Sequence, residues 1–215
     1  MTDPVKPRRR YRSATRTDQA AATRDAVIKA ARKLFLEAGW AGTTIAGIAR
    51  AAKVSPETIF AVFGGKAPLF AEVVRTGVRR AEPGTPLLEQ AGPKAVAAAP
   101  DQRTALHLFA HDIAGLLSGV AGLMGVARGV AGSEPDIGAI YRGIHRGRRE
   151  NFGMVVDALQ RHGPLRDGMG KDRAVAIIWR LASPELFLLM TEIEGLTPAA
   201  WADWLEDALA RLLLE

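Results

Sequence analysis

Residues 43–70 read TTIAGIARAAKVSPETIFAVFGGKAPLF, and the punctuation within this stretch decides the fold. Thr43 and Thr44 bring hydroxyls able to cap a helix ahead of Ile45, Ile48, Ala49 and Ala52, whose spacing follows one helical face. Ser55 offers a second cap. Pro56 stands at the first helical position, where its missing N–H costs nothing, and Gly64 and Gly65 stop that helix after Ile59, Val62 and Phe63. A short helix, a turn at Lys53 and Val54, and a two-turn helix have the proportions of a helix-turn-helix. In that motif the second helix presents its N-terminal residues to the major groove of DNA.

Working outward, Val27, Ile28, Ala31, Leu34, Phe35 and Ala38 predict an amphipathic helix that ends at Gly39, and Leu69, Phe70, Val73 and Val74 predict a fourth helix from about Lys66 toward Arg80. Before them, residues 1–20 hold Pro4, Pro7, Arg8, Arg9, Arg10, Arg12 and Arg16 with almost nothing to bury, which predicts a disordered basic arm. The expected division is therefore an arm over 1–20, a helix-turn-helix domain over 21–80 and a helical ligand-binding and dimerisation domain over 81–215. The class is all-α. Prolines and glycines between 82 and 101 predict a poorly ordered connection with room for a short helix inside it.

In the second half, long helices are expected over about 102–131 and 136–162, a third over 171–181, and a fourth from Pro184. Apolar residues surround the segment Leu186, Phe187, Leu188, Leu189, Met190 and Ile193, so it requires cover on two sides. The last helix carries the stripe Trp201, Trp204, Leu205, Ala208 and Leu212. Together these two helices predict a two-fold homodimer interface through Leu186, Leu189, Met190, Ile193 and the Trp201 stripe, the alternative being a large monomer core that absorbs both.

Charge divides along the same line. Residues 1–80 hold 16 Lys and Arg against 6 Asp and Glu, net +10, whereas residues 81–215 hold 13 against 17, net −4. A basic half attached to an ordinary one suits a protein that neutralises phosphates. With no cysteine, neither a disulfide scaffold nor a cysteine zinc site can be built, and a cytoplasmic location is expected. The N-terminal region lacks the apolar core of a signal peptide, and the longest uncharged apolar run, 113–127, falls short of the ~20 residues that span a bilayer. No membrane partner is expected.

The 43–70 string resembles the DNA-binding domain of the tetracycline-repressor family, written TT...IA..AGVS..T.Y..F..K..L, through Thr44, Ile45, Ile48, Ala49, Ala52, Val54, Ser55, Thr58, Ile59, Phe60, Phe63 and Lys66. The resemblance covers about residues 20–75. It implies a repressor that binds a roughly palindromic double-stranded operator as a homodimer and is released by a small effector. It also implies that Thr44 and Lys66 hold phosphates, that Ser55, Glu57, Thr58, Phe60 and Ala61 face the groove, and that Arg8, Arg9, Arg10 and Arg12 add phosphate or minor-groove contacts. Three positions depart from the pattern. Lys53 replaces the turn glycine and must either accept left-handed geometry or alter the turn, while adding a phosphate-seeking charge to the DNA-binding set. Phe60 lacks the usual tyrosine hydroxyl, and Ala61 offers only a methyl contact. Glu57 would either accept from cytosine N4 or complement the helix dipole.

An effector pocket is expected from Met124, Phe152, Trp179, His145, His107 and His111, with Met154 as another soft apolar wall. His107 and His111 stand four apart on one helix, a geometry for two metal ligands, but beyond Asp112 and the distant His145 the sequence offers no third ligand. The pair is read as pocket lining or a solvated stripe, with no metal and no cofactor. Arg142, Arg146, Arg148 and Arg149 around His145 read as a solvated face, with a site for an anionic ligand as the alternative. No GxSxG, P-loop, HExxH or strand-linked GxGxxG is present, so no catalytic residue is expected. The alternatives are a ligand-independent architectural DNA-binding protein and an enzyme acting through His107 and His111.

Overall fold

A computed structural model describes residues 10–79 and 84–215, the first eight of these as backbone alone. All of its regular elements are helical. They divide into two compact units that meet at Val73 and Val74, inside a helix and ahead of the boundary at 80 expected from composition.

The first unit holds α1 (Arg10–Gly42), α2 (Ile45–Ala52), α3 (Pro56–Phe63) and the start of α4 (Lys66–Arg79). Helical backbone from Arg10 corrects the expectation of a disordered arm through residue 20. After Pro7 nothing interrupts a helix, and Ala14, Gln19, Ala20, Ala21 and Ala22 are good helix formers that need no buried face. Arg8 and Arg9 lie outside the described residues, and Arg10 and Arg12 are described only as helical backbone.

Gly39 breaks the regularity of α1 at φ 64°, a left-handed conformation that admits glycine without cost, and this turn places Trp40 back over the core. Trp40 stacks on Phe35 at 5.8 Å between ring centroids, and Phe70 meets both rings edge-on, at 5.0 Å from Phe35 and 5.9 Å from Trp40. Val27, Ala31, Ile48, Ile59 and Leu69 close the rest of this core, each essentially without solvent contact. The Glu72 carboxylate is buried, and Arg24 pairs with it at 3.0 Å while lying over the Phe63 ring.

The second unit is organised around α6 (Gln102–Val130), started by Asp101, whose carboxylate accepts from the Thr104 N–H at 2.7 Å. Around it stand α5 (Ala91–Ala97), α7 (Pro135–Asn151), α8 (Gly153–Gln160), α9 (Lys171–Leu181), α10 (Pro184–Leu188) and α11 (Pro198–Leu213). Composition alone would let α6, and the stretch Lys171–Ile193, cross a bilayer. However, half of the most apolar window of α6 is buried inside the unit, and the second stretch is interrupted by a new N-cap at Ser183. Gly77, near the end of α4, has no Cβ, and one there would lie 2.7 Å from Val120 Cγ1 on α6.

Three details of the second unit differ from expectation. The segment after Pro83 is ordered from Gly84, with a 3₁₀ turn at Leu87–Glu89 followed by α5, because Val96 and Ala99 are buried and Gln90 turns inward to Thr85. The expected helix over 136–162 is two helices. Phe152 interrupts it to meet Phe109 edge-on at 5.3 Å. After α10 the chain widens into a π turn at Leu189–Ile193, where Glu194 N–H reaches the Leu189 carbonyl at 3.2 Å.

Candidate nucleic-acid interface and effector site

The helix-turn-helix is fastened by its own polar side chains. Thr44 Oγ1 accepts from the Gly47 N–H at 3.0 Å and keeps its own hydroxyl hydrogen to donate. Ser55 Oγ accepts from the Thr58 N–H at 3.3 Å and lies 3.2 Å from Thr58 Oγ1. Between the caps, Lys53 takes the left-handed conformation at φ 57°, ψ 40°, so the turn keeps its shape without glycine and the lysine side chain stays exposed.

Along α3, Ile59 is fully buried whereas Phe60 is 54% and Val62 49% exposed. Glu57 and Ala61 are exposed as well, and Thr58 is half-buried. A small helix that sends one residue inward and leaves a phenyl ring on the surface is built to be covered. The Glu57 carboxylate is held below its ordinary range by its own backbone N–H and by the Ser55 hydroxyl. That places its charge over the first turn of α3, which is the dipole-complementing alternative.

Lys66 sits differently from a plain phosphate ligand. Its Nζ donates to the Trp40 carbonyl oxygen at 2.5 Å and stands 4.0 Å from the indole centroid. The ammonium thus closes the end of α1 against the start of α4, with α3 between them in the chain.

In the second unit the six expected pocket residues do not share one cavity. Phe152 lines a crevice of about 50 Å³ with Leu88, Val96, Phe109, Ile113 and Met154. Met124 is buried in α6, and His107 and His111 are exposed.

His145 and Trp179 belong to a polar network. Tyr141 Oη donates to Glu185 Oε1 at 2.6 Å, His145 Nε2 lies 3.2 Å from the same oxygen, and Trp179 Nε1 donates to the His145 carbonyl at 3.1 Å. Arg148, expected on a solvated face, instead donates to the Ala182 carbonyl at 2.7 Å and lies over Phe152, and burial pulls its guanidinium down to about 10. Spacing along α7 could not reveal this, because the acceptor lies beyond α9.

This network has a pH consequence. Burial would raise the Glu185 carboxyl, but His145 and Tyr141 outweigh it and hold the group at about 2 against an ordinary 4.5. Burial first, then Glu185, pushes the Tyr141 hydroxyl up to about 12. A depressed carboxyl stabilises the fold fully above its unfolded value, and that contribution disappears as pH falls through the folded value. The urea midpoint is therefore expected to drop between about pH 4.5 and 2. Glu185→Gln should be less stable at neutral pH and show a flatter acid profile.

The expected dimer residues separate into two groups. Trp201, Leu205 and Met190 are buried within the unit and cannot be interface contacts, because α11 packs its stripe onto α6 and the π turn rotates Met190 inward. Leu189, Ile193 and Leu212 remain 48%, 77% and 44% exposed, while Leu186, Trp204 and Ala208 are half-buried. Leu189 and Ile193 border a surface cleft of about 220 Å³ with Gly125, Arg128 and Leu188.

Residues 27–73 match the family described as bacterial regulatory proteins, tetR family. The N-terminal unit is a tetR-family domain. By sequence, the chain matches no curated protein. Its fold is that of NalD, the secondary repressor of the MexAB-OprM multidrug efflux pump in Pseudomonas aeruginosa, at TM-score 0.68 and 22% identity over 92% of this chain and 98% of that one. A protein from Saccharomonospora viridis described as a transcriptional regulator, in complex with choline, is similar at TM-score 0.67 and 18% identity over 89% and 97% of the two chains. A protein from Rhodococcus sp. described as a TetR-family transcriptional regulator is similar at TM-score 0.68 and 13% identity over 90% and 99%.

Within the tetR-family domain, Lys53 is the departure with a measurable cost. Left-handed geometry costs a non-glycine residue on the order of 1 kcal/mol, partly offset by the entropy glycine loses on folding. Lys53→Gly is expected to raise stability by about 0.5–1 kcal/mol in chemical denaturation. The same variant should bind DNA more weakly and reduce the slope of log affinity against log salt by about 0.9 per chain.

Proposed function

We propose that the chain is a one-component transcriptional regulator of the cytoplasm, a repressor that binds a roughly palindromic operator as a homodimer and leaves it when a small apolar or amphipathic effector enters the second unit. The observation that carries this reading is α3: doubly punctuated, capped by Ser55 and presenting Phe60, Ala61 and Glu57 outward within a tetR-family domain. The Thr44 hydroxyl suits a phosphate oxygen, and the net +10 of residues 1–80 favours approach to DNA.

The dimer reading rests on Leu189, Ile193 and Leu212, large apolar side chains that a second copy would remove from water. The effector reading rests on the crevice at Phe152. At about 50 Å³ it holds a few waters at most, so an effector would select a conformer in which this crevice is open. A hundredfold preference for that conformer gives about 2.7 kcal/mol of leverage on DNA binding.

Selection from a pool of random duplexes tests the reading. The expected product is an inverted repeat with half-sites about one helical turn apart, whose complex is dissolved by some member of a panel of small apolar and amphipathic compounds. Enrichment of an inverted repeat that no compound releases would favour the ligand-independent architectural alternative. No enrichment at low salt would remove the regulator reading altogether.

A further inference from the structure

Helices α6 and α11 bring together four ligand-type side chains, three of them close enough to share an ion. His107 and His111 are one turn apart on α6, with ring centroids 4.4 Å apart. Opposite them, α11 supplies Glu206, whose Oε2 is 2.8 Å from His107 Nδ1, and Asp203, whose Oδ1 is 3.3 Å from His111 Nε2. One ligand atom from each of His107, His111 and Glu206 falls within 4.8 Å of the other two.

We propose that this cluster is a binding site for a borderline divalent transition metal, zinc being the reference ion, held by His107, His111 and Glu206 with Asp203 at its edge. The distances suit such an ion. A tetrahedron with bonds near 2.05 Å has edges of about 3.3 Å; His107 Nδ1 and Glu206 Oε2 stand 2.8 Å apart and all three ligand atoms lie within 4.8 Å, so modest side-chain adjustment closes the trio on one ion. The donor set, two imidazoles and a carboxylate, selects zinc, cobalt, nickel or copper over magnesium or calcium, which prefer all-oxygen shells. Three protein ligands leave a position open to water or to a fourth group.

The position in the fold also matters. Both helices are continuous through the cluster, and α11 is seated on α6 by fully buried Trp201 and Leu205, so the carboxylates are carried on a packed helix rather than on a loop. The side chains are partly exposed, 54% for His107, 39% for His111 and 32% for Glu206, which leaves an entry path for a hydrated ion. Two ordinary surface ion pairs would account for the pairings one at a time. They would not require ligand atoms of both imidazoles and Glu206 to gather within 4.8 Å of one another.

The test uses the full chain without an affinity tag, stripped of metal, titrated with zinc chloride by calorimetry and with cobalt chloride by visible absorption. One zinc per chain is expected with Kd on the order of 1 μM, together with the visible bands of cobalt in a low-coordinate nitrogen and oxygen site. His107→Ala and His111→Ala should each weaken binding at least about 100-fold, and Glu206→Gln at least about tenfold. His162→Ala, on the unrelated surface where that ring meets the Ala99 carbonyl, should change nothing. His107, His111 and His162 are exposed and Glu206 is half-buried, and circular dichroism checks that each variant is folded. Retention of zinc affinity in the folded His107→Ala/His111→Ala double variant, or absence of cobalt bands with zinc binding weaker than about 100 μM, overturns the proposal. Either result stands apart from DNA binding, which the site does not require.

Discussion

A Phe60→Glu chain is expected to lose operator affinity by about 100-fold per recognition helix while keeping its fold. Phe60 is 54% exposed in the middle of α3, so the substitution removes no core packing. It sets a carboxylate where the docked helix would face phosphates. Two like charges about 5 Å apart at an effective dielectric of 20 repel by roughly 3 kcal/mol, which corresponds to about two decades in affinity. Anisotropy titrations against the selected operator would show this loss, and the loss should shrink as salt rises because exposed charges are screened. Phe60→Tyr provides the opposite arm. By restoring a hydroxyl able to reach a phosphate it should equal or exceed the parent chain. If Phe60→Glu binds normally, α3 does not face DNA.

The largest effect on stability is expected at the other end of the chain. Trp201 has no solvent contact and meets Phe187 edge-on at 5.0 Å. Truncating a buried aromatic to alanine forfeits its transfer energy and leaves a cavity, so Trp201→Ala should cost about 3–5 kcal/mol. Trp201→Phe should cost far less, about 1 kcal/mol. The indole Nε1 is buried and finds no hydrogen-bond acceptor among the described residues, so phenylalanine removes an unsatisfied donor along with part of the ring. Guanidinium denaturation at one fixed protein concentration measures both, since any self-association would make apparent stability depend on concentration. Comparable losses in the two variants would mean that the indole ring is held by something other than packing.

Legibility followed the range over which each feature is determined. The caps at Thr44 and Ser55, the proline at position 56 and the stop at Gly64 are local, and they place α2 and α3 within a residue of the expected bounds. The left-handed turn at Lys53 was one of two readings open to the residues, and the backbone takes it. Features that depend on a distant partner were illegible. Arg148 looks like one of four similar arginines until the Ala182 carbonyl is set beside it. His107 and His111 lack a third ligand until α11 brings Glu206 across 99 residues of chain.

Expectations failed in both directions where composition stood in for contacts. Glycine and proline content suggested disorder before α6, where Val96 and Ala99 anchor a short helix, and the arginine content of the first twenty residues concealed a run of helix formers. In α11 one stripe of apolar residues was assigned to a partner molecule. The helix spends Trp201 and Leu205 on its own core and leaves Leu212 outside.

Fluorescence anisotropy of the full chain on its selected duplex, beside a scrambled duplex of equal length and at two salt concentrations, tests the central claim most directly. The account predicts that the selected duplex is bound at least about 1,000-fold more tightly, with both affinities falling steeply as salt rises. Equal affinity for the two duplexes, or no binding to either at low salt, would contradict it.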